Sequence, residues 1–188
     1  NIELDTQDVD EIVNTIKNIA PTFGGINLED ISAPRCFEIE RRLIDELDIP
    51  VFHDDQHGTA VIVAAGLLNA LEIQGKSINS VKIVCAGAGS AGIATLKLLI
   101  ELGFKKKNIL LVDRNGVVSK RSKNLSKEKI EFVTDTDKKT LEDAIDGSDI
   151  LIGVARGNLV TKAMIKSMAK KPIIFALSNP DPEISPAD

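Results

Sequence analysis

The sequence predicts an α/β fold, a doubly wound parallel sheet preceded by a helical and extended segment. From residue 81 onward, short apolar runs rich in β-branched residues alternate with helical patterns, which is typical of parallel strands joined by helices. The first of these runs leads through a glycine-rich turn directly into a helix. With 188 residues, 43% hydrophobic and 27% charged, the chain is long enough to bury one core of ordinary size.

Composition excludes several classes of protein. The net charge of −5 disfavours binding to nucleic acid, whose phosphates attract basic surfaces. The longest apolar stretch, 59–71, is shorter than the roughly 18 residues of a membrane helix, and no signal-peptide pattern opens the chain. Cys36 and Cys85 stand apart in apolar patterns, so we expect buried, reduced thiols. These features favour an enzyme domain of the cytoplasm or an organelle matrix.

The segment before the sheet, residues 1–58, is predicted to contain two helices and two extended stretches. Thr6 is the expected cap of the first helix, which Pro21 ends. The extended stretches are 23–28 and 49–52. We expect this segment to be continuous with the core, and its acidic residues are candidates for a metal site.

Residues 59–188 are predicted to form the sheet domain. Thr59 is the expected cap of a helix that is apolar nearly all round and therefore predicted to be buried. The lysine-rich stretch 120–129 is interpreted as a solvated loop. The predicted strands are 81–86, 109–112, 131–133, 150–154 and 173–177, and the predicted helices are 91–102, 140–145 and 161–169.

The turn after the first strand is a full G-x-G-x-x-G motif, Gly87-Ala88-Gly89-Ser90-Ala91-Gly92. Its first glycine allows a tight turn, the second lets backbone approach a pyrophosphate, and the third lets helix and strand pack closely. The N-terminus of the following helix offers free N–H groups to the phosphates. Asp113 ends the next strand, about twenty residues further on, where a carboxylate can bind a ribose hydroxyl. The motif predicts a Rossmann-like domain that binds a dinucleotide.

The choice between NAD and NADP stays open, with NAD favoured. The Asp113 carboxylate would repel the 2′-phosphate of NADP. Arg114 follows it at once, with Lys120 and Arg121 nearby, and such cations can accommodate that phosphate.

Two acidic pairs end the extended stretches: Glu29-Asp30 and Asp54-Asp55. If they converge, their mutual repulsion favours a bound cation, and hard oxygen ligands select Mg²⁺ or Mn²⁺. Helix caps or surface charges explain the same pattern equally well. His53 and His57 lack a third nitrogen or sulfur ligand, so we expect a structural role for them rather than a zinc site.

Four segments together resemble malic enzymes of the bacterial type, in the same order and over essentially the whole chain. They are FGGINLEDI at 23–31, APRCFEIE at 33–40, PVFHDDQHGTA at 50–60, and IFALSNP at 174–180, together with the glycine turn. The resemblance implies oxidative decarboxylation of L-malate to pyruvate and CO₂, with NAD or NADP as hydride acceptor.

The resemblance also implies roles for particular residues. It assigns a divalent metal to Glu29, Asp30 and Asp55, and gives Asp54 a hydrogen bond to the family's catalytic lysine. It assigns pyrophosphate binding to residues 88–91. Asn179 matches the asparagine near the nicotinamide and the substrate.

One departure from the family concerns the general acid and base. The family's catalytic lysine and tyrosine belong to a segment upstream of Glu29, and this chain contains no tyrosine. Lys17 lies on the polar face of a predicted helix and is a poor substitute. We therefore expect the chain to be the cofactor-binding and metal-binding portion of a homodimeric or larger enzyme, with negligible turnover by itself. The alternative is a non-catalytic module that binds or senses a nicotinamide nucleotide.

Overall fold

A five-stranded sheet forms the centre of the computed structural model, which describes residues 1–188. Its strand order is β5-β4-β3-β6-β7, with all neighbours parallel except β5. A second sheet pairs β1 with β2 in parallel. The strands are β1 (Ile26–Leu28), β2 (Val51–His53), β3 (Ile83–Ala86), β4 (Ile109–Asp113), β5 (Gly116–Val117), β6 (Ile150–Gly153) and β7 (Ile173–Ala176).

Seven α-helices connect these strands. They are α1 (Val9–Ile19), α2 (Arg35–Glu46), α3 (Thr59–Gln74), α4 (Ser90–Glu101), α5 (Lys127–Ile130), α6 (Leu141–Ile145) and α7 (Lys162–Ser167). A search for a helix with both the length and the apolar character needed to cross a bilayer finds none.

Helices cover both faces of the five-stranded sheet, which confirms the predicted doubly wound fold. On one face, α3 and α4 pack over Ile83, Leu111 and Ile152 in a core cluster of 18 buried residues. On the other face, α6 contributes Ala144 and Ile145 to a cluster of nine. Every residue of β3 and β6 is buried, as expected of central strands in a parallel sheet.

The segment before the sheet has a small core of its own. Ile12, Val13 and Ile16 of α1 pack against Ile39 and Leu43 of α2. These contacts orient β1 and β2, whose register pairs Leu28 with His53. The acidic pairs that follow the two strands therefore begin at the same edge of the small sheet.

Two predicted helix caps are wrong. Asp8, not Thr6, caps α1, because its carboxylate accepts the Glu11 N–H at 2.9 Å. Thr6 instead accepts the N–H of Asp8. Thr59 is the first residue of α3 and follows one π-helical turn, 54–58, with no side-chain cap.

The predicted strand at 131–133 is absent. Phe132 lies in a turn after α5, where its N–H donates to the Lys129 carbonyl at 2.9 Å. Only Thr134 forms a bridge, to Ser119. The apolar pattern at this point reflects the burial of Phe132 in the core rather than strand pairing.

The prediction that α3 is buried all round is also wrong. Val63, Leu67 and Leu71 pack inward, whereas Ile62 and Ile73 are 72% and 82% exposed. A helix lying on a sheet covers it with one face only, and no other element of this chain covers the opposite face of α3.

Candidate nucleotide and metal sites

Both cysteines are free and buried, as predicted. Burial raises the pKa of the Cys36 thiol to about 11 and that of the Cys85 thiol to about 12. Thiols with such pKa values remain protonated at neutral pH, so neither is a reactive nucleophile.

The glycine turn has the backbone geometry that its spacing predicted. Gly87 has φ +125°, and a Cβ there would lie 2.6 Å from the Val154 carbonyl oxygen. A Cβ on Gly92 would overlap the carbonyl oxygen of Gly87. Gly89, in contrast, faces open space. The first and third glycines are thus required by packing, and the second leaves the turn accessible to a ligand.

Helix α4 begins at Ser90, directly after the turn. Its first turn has neither a side-chain cap nor an acidic residue, so the free N–H groups and the positive end of the helix dipole remain available to an anion. The turn and the helix together offer the free N–H groups and positive dipole end that a phosphate site requires.

Asp113 lies at the end of β4, as predicted, but its carboxylate is already engaged. Oδ1 accepts the Asn115 N–H at 2.8 Å and Oδ2 accepts from Lys129 Nζ at 2.7 Å. The Asp113 side chain is 9% exposed. Lys129 therefore compensates most of the negative charge that a 2′-phosphate would meet.

Lys129 was missed by the sequence analysis, which interpreted 120–129 as a solvated loop. It lies in α5, sixteen residues after Asp113, and no spacing rule connects the two positions. A cavity of about 320 Å³ beside Asp113 is also lined by Arg121, Lys123 and Lys139. Lys120 pairs with Asp135 at 2.6 Å, on the exposed side of the loop.

Asn179 lies exposed in the loop after β7. The loops after β3, β6 and β7 all leave the carboxyl edge of the parallel sheet, where ligands of such folds bind. The structure thus brings Asn179 to the same edge as the glycine turn, which sequence order alone could not guarantee.

The acidic pairs are adjacent but do not form a completed ligand set. The Asp30 N–H donates to Asp55 Oδ2 at 3.1 Å, which joins the ends of β1 and β2. Glu29 and Asp30 are exposed, and Asp54 and Asp55 are half-buried. No three metal-ligating side chains converge at one point.

The surroundings of Asp55 nevertheless fit a cation. His53 is completely buried, and neither of its ring nitrogens has a hydrogen-bond partner. Its Nε2 lies 3.9 Å from Asp55 Oδ2. Since buried polar groups are almost always paired, this unpartnered imidazole indicates an interaction that is completed on binding. Carboxylate oxygens beside it are the ligand type that Mg²⁺ and Mn²⁺ prefer.

His57 belongs to a separate network. Its Nε2 lies 2.6 Å from Glu40 Oε1, and Gln56 donates to Glu40 Oε2 at 2.9 Å. The two histidines therefore share no ligand position, and His57 has the structural role that the sequence analysis expected.

The doubly wound sheet and its glycine turn define a dinucleotide-binding domain. Residues 56–187 match the family model described as the malic enzyme NAD-binding domain, and residues 3–44 match the malic enzyme N-terminal domain. The chain belongs to the malic enzyme family.

Individual relatives agree with this assignment. The chain is 50% identical over 186 residues to an NADP-dependent malic enzyme of Halomonas elongata, covering 99% of this chain and 44% of that protein. It is 52% identical to an NAD-dependent malic enzyme of Geobacillus stearothermophilus, covering 97% of this chain and 39% of that protein. The crystal structure of an NAD-dependent malic enzyme from Thermotoga maritima superimposes with a TM-score of 0.93 at 46% identity, over 99% of this chain and 50% of that one. The chain thus spans half or less of the length of these relatives.

Proposed function

We propose that this chain is the nucleotide-binding and metal-binding part of a malic enzyme that converts L-malate to pyruvate and CO₂ while reducing NAD or NADP. The observation that best supports the proposal is the preformed glycine turn, which lies at the same edge of the sheet as Asn179. A glycine turn alone does not indicate the substrate. Because the chain belongs to the malic enzyme family, we infer that the substrate is malate. We further propose that the complete enzyme is a cytoplasmic or organelle-matrix homodimer or larger homo-oligomer.

The nucleotide would lie across the carboxyl edge of the sheet. The backbone N–H groups of 88–91 and the start of α4 would bind its pyrophosphate. Asp113 would accept a hydroxyl of the adenosine ribose, and Asn179 would contact the nicotinamide and the substrate. Because Lys129 compensates the charge of Asp113, we propose that NAD is preferred over NADP only weakly.

The proposed metal ligands are Glu29, Asp30 and Asp55. Their carboxylates would hold Mg²⁺ or Mn²⁺, and the hydrogen bond from the Asp30 backbone N–H to the Asp55 carboxylate keeps the two strand ends together. When bound, such a cation acts as a Lewis acid that favours loss of the hydroxyl proton and stabilises negative charge after CO₂ leaves. His53 would hold Asp55 in position from the buried side, and we assign Asp54 a hydrogen bond to the catalytic lysine of the complete enzyme.

Proton transfer is the part of the reaction that these 188 residues do not supply. The family's general acid and base include a tyrosine, and this sequence contains none. We propose that the chain alone binds nucleotide and metal but turns over malate negligibly. Malate-dependent reduction of NAD by the purified chain would contradict this.

A fluorescence titration with NADH and with NADPH, each with and without Mn²⁺, tests nucleotide binding. Since the chain has neither Trp nor Tyr, the signal of the reduced nicotinamide is nearly free of protein background. We expect saturable binding of both, with NADH somewhat tighter. The absence of binding in a chain shown to be folded by circular dichroism would contradict the proposal.

The alternative, a non-catalytic module that senses a nicotinamide nucleotide, is distinguished by Asp55→Asn. If the site serves catalysis, this variant should lose Mn²⁺ binding while retaining NADH binding. A sensor would not require the clustered carboxylates. In that case Asp55→Asn should change neither the Mn²⁺ affinity nor the NADH affinity. Glu38→Gln, which removes a charge from α2 outside the proposed ligand set, is the control.

A further inference from the structure

Glu183, near the end of the chain, has a carboxylate that is completely buried. Its Oε1 accepts the Ala155 N–H at 2.9 Å, and its Oε2 accepts the Ser178 N–H at 3.2 Å. No lysine, arginine or histidine pairs with it. Both oxygens of an unpaired buried carboxylate are thus used to hold backbone N–H groups, which are strong interactions in a low-dielectric interior.

The two N–H groups belong to different loops at the nucleotide edge. Ala155 follows β6, and its neighbour Val154 contacts the glycine turn: the Val154 N–H donates to Ala86 at 2.9 Å, and its carbonyl lies against Gly87. Ser178 follows β7 and directly precedes Asn179. The Glu183 carboxylate therefore connects the loop after β6, which lies against the turn assigned to the pyrophosphate, with the loop assigned to the nicotinamide.

The surrounding backbone leaves room for this carboxylate and fixes its position. A Cβ at Gly153 would overlap the Glu183 carboxyl group, so glycine at the end of β6 is required by the contact. On its own segment, the Val160 N–H donates to the Glu183 carbonyl and the Asn158 N–H donates to the Pro182 carbonyl, each at 2.9 Å. These bonds hold the loop after β7 against the loop after β6.

We propose that Glu183 is a positioning residue that fixes the Asn179 loop relative to the glycine turn, and so sets where the nicotinamide ring lies. This inference rests on the proposed function. It predicts that Glu183 matters for the nicotinamide half of the cofactor and not for the adenosine and pyrophosphate half.

Glu183→Gln is the direct test, because its amide offers one acceptor where the carboxylate offers two. One loop N–H would then face an amide N–H₂ and lose its partner. The quantities to measure are the Kd values of this variant and of the unmodified chain for NADH and for ADP-ribose, which has the pyrophosphate but no nicotinamide. We expect NADH affinity to fall about tenfold, ADP-ribose affinity to change less than about twofold, and the fluorescence of bound NADH to shift toward that of the free nucleotide.

Gly153→Ala perturbs the same contact from the other side. Its added methyl group displaces the carboxylate without removing either oxygen, so it should reproduce the selective loss of NADH affinity. Glu72→Gln on the exposed face of α3 and Gly24→Ala, whose Cβ would meet no atom within 4 Å, are the matched controls.

Several results would overturn the inference. These are an equal loss of NADH and ADP-ribose affinity, an unchanged NADH affinity in folded Glu183→Gln, or a failure of both Glu183→Gln and Gly153→Ala to fold, which would mean that the contact serves stability. If the unmodified chain binds ADP-ribose but not NADH, the inference also fails, because no nicotinamide is being positioned. If it binds neither, the proposed function itself is wrong.

Discussion

The two candidate sites differ in how far the folded chain completes them. At the glycine turn, the ligand-binding groups are backbone N–H groups held by α4 and by the close approach of Gly87 to Val154. At the ends of β1 and β2, the ligand-binding groups are exposed or half-buried carboxylates, and no three of them converge.

Electrostatics explains the difference. Backbone N–H groups carry no net charge, so a turn that gathers several of them costs little without the ligand. Carboxylates of like charge repel one another until a cation compensates them. The proposed phosphate site, built from backbone, is therefore formed in advance, whereas the proposed metal site is expected to assemble on binding.

The largest expected effect is that of Gly92→Ala on the preformed site. Its methyl group would overlap the Gly87 carbonyl. Since neither the Cβ nor a backbone carbonyl can rotate away from the contact, the turn must shift. We expect the affinity for NADH to fall on the order of 100-fold, equivalent to about 2.7 kcal/mol.

Gly24→Ala, outside the turn, is the control, because a Cβ there would meet no atom within 4 Å. It should remain folded and bind NADH more tightly than Gly92→Ala does. Similar NADH affinities for the two variants would mean that packing behind the turn does not preorganise it.

At the metal site, His53→Leu should separate stability from binding. Replacing a buried imidazole whose nitrogens lack partners with an apolar side chain of similar size should stabilise the metal-free chain by about 1 kcal/mol. Mn²⁺ affinity should fall by about tenfold, because Asp55 would lose its neighbour. Urea unfolding and electron paramagnetic resonance of free Mn²⁺ measure the two effects.

His57→Leu provides the contrast. His57 is hydrogen-bonded to Glu40, so its removal leaves a buried carboxylate oxygen unpaired. The variant should therefore be less stable, with little change in Mn²⁺ affinity. If both histidine variants lower stability equally, His53 has an ordinary packing role.

A smaller effect is expected where charge modifies the preformed site. Lys129→Met would leave the Asp113 carboxylate without its cation, so NADPH affinity should fall several-fold more than NADH affinity. Lys162→Met, which breaks an exposed pair with Asp188, is the control. An unchanged ratio of the two affinities would show that Lys129 does not influence the choice of cofactor.

Features fixed by local backbone requirements were predictable from the sequence. The glycine turn, the strands on either side of it and the helix after it were found because glycine spacing and apolar periodicity reflect the conformation of adjacent residues. Lys129 and Glu183 were missed because their partners lie in other elements: Asp113 is 16 residues from Lys129 and Ala155 is 28 residues from Glu183. The exposed face of α3 was misjudged because composition shows that a helix is apolar but not how many neighbours cover it.

The smallest expected effect on nucleotide binding is that of Asp149, which lies at the amino edge of the five-stranded sheet, opposite the glycine turn. Burial alone would raise its pKa, but hydrogen bonds from the Lys76 ammonium and the Lys82 N–H lower it below the ordinary value of an aspartic acid. A carboxyl group whose pKa is lower in the folded state contributes stability above its unfolded pKa and loses it as the pH falls through the folded value.

Asp149→Asn should therefore cost about 1 kcal/mol at pH 7, and the difference from the unmodified chain should shrink as the pH falls through the lowered pKa of the folded state. Nucleotide binding should be unchanged at pH 7, because the turn is held by contacts among β3, β6 and α4 at the other end of the sheet. Urea unfolding across pH, together with one NADH titration, measures both. A loss of NADH affinity in this variant would mean that the preformed turn depends on the whole sheet rather than on its local backbone.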